Sequence, residues 1–166
     1  MNKSNITLIG MPGVGKSTVG KELALKLKYQ FVDVDITIEQ RYGKKLIDIL
    51  TELGEDKFIA IECEEIESLG EIFNSVISPG GSVIYSLEAM MSLEKVSKVF
   101  FLDADPELSA KRIELDSRGI VRLADRSYGD LYKERRPLYL KHADFVLNVD
   151  GLTVQSIVDQ ILKSVA

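Results

Sequence analysis

A single cysteine, a single histidine and no tryptophan stand among these 166 residues. One cysteine, Cys63, excludes an internal disulfide, and one cysteine with one histidine, His142, does not make a zinc site. Cys63 is read as a packing residue, because free cysteine behaves as a small hydrophobe. A reducing interior fits this composition, and an oxidising one is not required. Long apolar runs are missing too. The run near the start, ITLIG, meets Gly and Pro too soon to form the core of a signal sequence, and no other segment approaches membrane-spanning length. The expected location is the cytoplasm, with no membrane partner. Positive charge is also scarce: 21 Lys and Arg against 26 Asp and Glu leave a net charge of −5. That balance weighs against a nucleic-acid partner, and the few aromatic residues offer no stacking platform for single strands.

What is present suits an ordinary globular chain of one domain, residues 1–166, expected as a monomer. Short β-branched runs (ITLIG, FVDVD, SVIS, KVFFLD, ADFVLNV) alternate with segments such as STVGKELALKLK, whose apolar residues fall at three- and four-residue spacing. Strand and helix in alternation imply parallel pairing, since parallel strands need long crossovers. The expected fold is α/β: a three-layer sandwich with a central parallel sheet and helices on both faces. Two stretches exceed this alternation. Residues 36–73 hold helical pattern without a strand, which predicts a helical insertion beside the site. Residues 113–126 are polar and carry Arg118, Arg122 and Arg126, which predicts a mobile lid. Arg122 and Arg126 suit either phosphate contacts or a charged loop. The acidic run Glu62, Glu64, Glu65 and Glu67 is expected on a solvated helix face.

The strongest motif is GMPGVGKST at 10–18. Gly10, Gly15, Lys16 and Ser17 complete the G-x-x-x-x-G-K-[ST] pattern, with Gly13 inside it. Glycines let successive N–H groups turn toward phosphate oxygens, and the following helix offers its positive N-terminus to the same anion. Lys16 would reach the β- and γ-phosphates, and the Ser17 hydroxyl would ligate Mg²⁺. In FVDVD, period-two alternation predicts Phe31, Asp33 and Asp35 on one side of a strand whose end opens beside this loop. One carboxylate would hold Mg²⁺ through water, and the other would orient an acceptor hydroxyl. The plainer alternative is that Asp35 caps the next helix. Gly80 and Gly81 end a third strand, where bare backbone suits a ligand or an ordinary turn. Arg135 and Arg136 precede Pro137, as a solvated helix end or as a clamp for carboxylate or phosphate.

Taken together, GMPGVGKST, FVDVD, GEDKF, SPGGS and ERRPLY resemble, nearly end to end, the shikimate kinase family of small P-loop kinases with nucleoside-monophosphate-kinase architecture. The resemblance implies the P-loop nucleoside triphosphate hydrolase fold and ATP-dependent, Mg²⁺-assisted phosphorylation of a small hydroxylated substrate, shikimate first. It implies that Gly13, Val14, Gly15, Lys16, Ser17 and Thr18 hold the nucleotide, with Arg112 over the adenine and Arg118 as the lid arginine on the phosphates. Asp33 resembles the water-mediated Mg²⁺ partner. Asp35 resembles the carboxylate that binds substrate hydroxyls and takes the attacking proton. Gly80 and Gly81 match two of three substrate-loop glycines, and Arg135 matches the arginine that holds the substrate carboxylate. Three departures cluster at the acceptor: Ile59 stands where a second carboxylate-binding arginine belongs, Ser82 replaces the third glycine, and RGIV replaces the lid's R-P-L-L. Alternative readings are a kinase of another polyol or hydroxy acid and a degenerate ATP-binding module. A guanine-nucleotide switch is disfavoured, because NVDG at 148–151 is not the N-K-x-D base-reading motif.

Overall fold

The computed structural model describes residues 3–113, 119–123 and 126–166. Five strands, β1 (Asn5–Ile9), β2 (Gln30–Asp33), β3 (Ser75–Ser78), β4 (Ser97–Asp103) and β5 (Phe145–Asn148), form one sheet in the order β2-β3-β1-β4-β5. Every pairing is parallel, with Thr7 in register with Ile77 on one side and Val99 on the other. The crossovers are helical. They are α1 (Lys16–Leu27) after β1, then α2 (Val34–Tyr42), α3 (Leu46–Leu53) and α4 (Glu55–Ser68) after β2, and α5 (Leu87–Val96) after β3. Next come α6 (Pro106–Ile113) and α7 (Tyr128–His142) after β4, and α8 (Val154–Val165) closes the described chain. Among the described residues, no helix is long and apolar enough to cross a membrane.

Side-chain alternation along the strands sorts the core into two layers. Ile6, Leu8, Val76, Phe100 and Leu102 pack with Leu23, Val158 and Ile161 of α1 and α8. Ile9, Ile77, Val99 and Phe101 point the other way, onto Ile38, Phe58, Met90 and Leu131. Helix, sheet and helix thus make three layers. Phe100 is fully buried and stacked on Phe145 at 4.6 Å between centroids, so truncation to alanine would cost about 3–5 kcal/mol. Cys63 packs at the edge of the second layer, as a small hydrophobe should.

The helical insertion lies where expected, as α2, α3 and α4 between β2 and β3. Its start corrects the reading of FVDVD as one strand. The strand ends at Asp33, whose extended backbone and side chain cap α2 by accepting from the Ile36 N–H at 3.3 Å. Asp35 therefore sits in the first helical turn, not on the strand face with Asp33, and the capping residue is Asp33 rather than Asp35. Of the segment 113–126, residues 114–118 and 124–125 lie outside the described residues, and Arg118 is among them. The described stretch 119–123 lies on the insertion. A methyl group on Gly119 would come to 2.9 Å from the Ile47 Cα, and Ile120 and Val121 are buried.

Candidate active site

Because all strands run parallel, β1, β2 and β3 deliver their C-terminal loops to one edge. A cavity of about 410 Å³ opens there, walled by the phosphate loop on one side and by α4, the loop after β3 and α7 on the other. Gly13, Val14, Gly15, Lys16, Ser17, Thr18, Asp35, Gly80, Gly81, Arg112 and Arg135 all line it, so these sequence candidates are brought together.

Gly15 begins α1 at φ +106°, in open space, so its backbone angle and not crowding demands glycine. Lys16 is buried, and its Nζ donates to the carbonyls of Gly10 at 2.8 Å and Met11 at 3.1 Å. Ser17 Oγ donates to Asp33 Oδ2 at 2.7 Å, so the hydroxyl and carboxylate meet without Asp33 itself lining the cavity. Arg112 reaches back from α6 to within 3.4 Å of the Val14 carbonyl.

At the other wall, the backbone of Gly80 and Gly81 is hemmed in. A methyl group on Gly80 would overlap Glu62 Oε1 and come to 2.8 Å from Asp35 Oδ1. On Gly81 it would come to 2.7 Å from Pro12 of the phosphate loop and 3.0 Å from Arg135 Nη1. Two tyrosines of α7 hold these loops: Tyr128 OH donates to the Pro12 carbonyl at 2.6 Å, and Tyr139 OH donates to that of Gly81 at 2.5 Å.

Arg135 is no solvated helix end. It is fully buried, with Pro137 carried inside α7 beyond it. Its Nε donates to Tyr85 OH at 3.2 Å and its Nη2 to the Val121 carbonyl at 2.7 Å. Nη1 has no hydrogen-bond partner among the described residues, and a buried charged donor left unpaired is costly. Arg136 turns away and pairs with Asp103 at 2.9 Å. Arg122 and Arg126 both pair with Glu134, Arg122 lies 4.1 Å over the Tyr85 ring, and neither lines the cavity.

The acidic run is corrected as well. Glu62 and Glu65 are buried, because α4 packs against α2 and α5 with this face inward. Glu65 pairs with Arg41 of α2 at 3.2 Å, while Glu62 faces the cavity and accepts from Ser82 Oγ. Burial first, and the nearby Asp35 charge second, push the Glu62 carboxyl up to about 8. Ser82, read from the sequence as the altered third position of the substrate loop, lines the cavity, whereas sequence reasoning missed Glu62 and Phe58 and also the apolar Val149, Leu152 and Val154. The position of Glu62 three residues after Ile59 put it on an inward helix face, the one available signal. Ile59 itself packs against the core rather than lining the cavity.

The family model described as "Shikimate kinase" matches residues 12–166. A shikimate kinase of Thermodesulfovibrio yellowstonii is 36% identical over 162 residues, covering 96% of this chain and 93% of that protein. One of Francisella tularensis subsp. novicida is 40% identical over 161 residues, covering 95% and 92%. Among solved structures, the shikimate kinase from Acinetobacter baumannii in complex with shikimate superposes with a TM-score of 0.89 at 28% identity, covering 99% of this chain and 93% of that one.

Proposed function

The chain belongs to the shikimate kinase family, and from that premise we propose that it transfers the γ-phosphate of ATP to a hydroxyl of shikimate, giving shikimate 3-phosphate. One observation carries the acceptor half: the buried Arg135, whose Nη1 has no hydrogen-bond partner among the described residues, lines the cavity that Asp35 and the phosphate loop share. A small anionic polyol supplies the carboxylate that this nitrogen lacks and the hydroxyl that Asp35 can orient.

Phosphoryl transfer has a loose transition state, so positioning and charge neutralisation do most of the work. The phosphate-loop N–H groups and Lys16 cradle the β- and γ-phosphates. The loop from Gly13 to Thr18 wraps the nucleotide, and Arg112 lies beside the base. Asp35 aims the acceptor hydroxyl and takes its proton as the new P–O bond forms and the bond to ADP breaks. Gly80 and Gly81 let the acceptor approach bare backbone, and Arg118 is the lid arginine in this reading. The Ser17 hydroxyl beside the Asp33 carboxylate is an oxygen donor set that suits a hard divalent cation. These two would hold Mg²⁺, Asp33 through water, and the ion supplies charge neutralisation at the phosphates when bound.

The test is ADP formation at fixed Mg-ATP across a wide range of shikimate. Saturable stimulation supports the proposal, and a rate that never rises above background hydrolysis overturns its acceptor.

A further inference from the structure

Glu62 lies in the wall of the acceptor cavity with 2% of its surface exposed. Among the described residues, no cation forms an ion pair with it. Of the two nearest in charge, Arg135 commits Nε and Nη2 to Tyr85 and Val121, and Lys16 donates to Gly10 and Met11. One turn along α4, Glu65 takes Arg41 for itself. Among the described residues, the one hydrogen-bond partner of the Glu62 carboxyl is the Ser82 hydroxyl, on Oε2. Its other oxygen, Oε1, lies against Gly80 on the side where Asp35 Oδ1 also lies.

Resting on the reading just given, we propose that Glu62 is a specificity-determining residue of the acceptor site and that Ser82 is the residue that positions it. With Ser82 donating to Oε2, the carboxylic acid carries its proton on Oε1 and donates it to an acceptor oxygen beside the hydroxyl held by Asp35. The neutral form is the favoured one at neutral pH: burial and the Asp35 charge raise the Glu62 carboxyl to about 8, against the opposing pull of Ser82, Arg135 and Lys16. One donor and one acceptor side by side select two adjacent oxygens, as in a vicinal diol, and reject an analogue that lacks one of them. Above the ionisation of Glu62 the donor is lost, and its charge adds to that of Asp35 against an anionic acceptor.

The experiment is the pH dependence of KM for shikimate, from about pH 6.5 to about pH 9.5, in the wild type, Glu62→Gln, Ser82→Ala and Ser82→Thr. In the wild type KM is expected to rise about tenfold across this range with little change in kcat, the scale of one lost neutral hydrogen bond at the upper end of its range. Glu62→Gln keeps a donor that cannot ionise and should flatten the rise. Ser82→Ala should raise KM near neutral pH and move the rise to higher pH, because the serine bond favours the ionised form. Ser82→Thr should restore both. A wild-type profile retained in Glu62→Gln, or an unchanged KM in Ser82→Ala, overturns the proposal. Infrared difference spectra without acceptor separate this from the substrate assignment. A buried carboxylic-acid C=O band at neutral pH that vanishes in Glu62→Gln supports the neutral Glu62 even if shikimate is not turned over. Its absence from the wild type overturns it.

Discussion

Arg135 Nη2 donates a 2.7 Å hydrogen bond to the Val121 carbonyl, so the guanidinium facing the acceptor cavity also holds the segment that roofs it. With Arg135 as the proposed holder of the acceptor carboxylate, binding and covering of the acceptor would be joined in one side chain.

Arg135→Lys keeps a charge but cannot serve Tyr85, Val121 and an acceptor carboxylate at once. KM for shikimate is expected to rise by about 30-fold or more, from the loss of about 2–5 kcal/mol that a desolvated charge pair carries. Steady-state kinetics with saturating ATP checks this, and a KM within threefold of wild type would refute the role given to Arg135.

Asp33→Asn isolates charge from capping, because asparagine caps helices as well as aspartate does. Thermal stability should hardly move, while the Mg²⁺ concentration for half-maximal ADP formation rises by about tenfold or more. Equal Mg²⁺ dependence in variant and wild type would remove Asp33 from the metal site.

Ile59→Arg places a long cation on α4 one turn before Glu62. Its alkyl stem can lie where isoleucine packs, with the head reaching the cavity rim. KM for shikimate should fall, and about tenfold would correspond to a gain of about 1.4 kcal/mol. An unchanged KM would mean that the arginine absent from this position does not limit affinity.

Glu62 also couples stability to pH. Its carboxyl ordinarily titrates near 4.5 and in the fold near about 8. Between these values the native state holds a proton that the unfolded chain has released, so stability falls as pH rises and levels off above about 8. The slope from this one group is about 1.4 kcal/mol per pH unit at most. Urea unfolding between those limits should show it in the wild type and lose it in Glu62→Gln.

The strands were legible because β-branched runs such as KVFFLD bury both faces, and the phosphate loop was legible because its chemistry requires fixed spacing. The course of FVDVD was not. Period two fits Asp33 and Asp35 equally well on a longer strand, and only the cap at Asp33 turns the chain at Val34. Glu62 was misread for a related reason. Four glutamates within six residues suggest a wet surface, yet which of them turns inward depends on α2 and α5 closing over α4. Tyr85 meets Glu134 across 49 residues of sequence, with Arg122 joining them, and no local pattern announces such a cluster.

The contact of Gly81 with Pro12 has a consequence for the geometry of the reaction. The two loops proposed to carry the co-substrates lie close together, each pinned by a tyrosine of the same helix. In the proposed reaction, the gap that the phosphoryl group must cross is thus gauged by the Pro12 ring lying close over Gly81. Changes at positions such as 59 and 82 can retune which molecule is accepted without altering that gap. A side chain at 81 would act as a shim: it would press on Pro12 and on Arg135 Nη1, weakening the hold on the acceptor as well as lengthening the flight path.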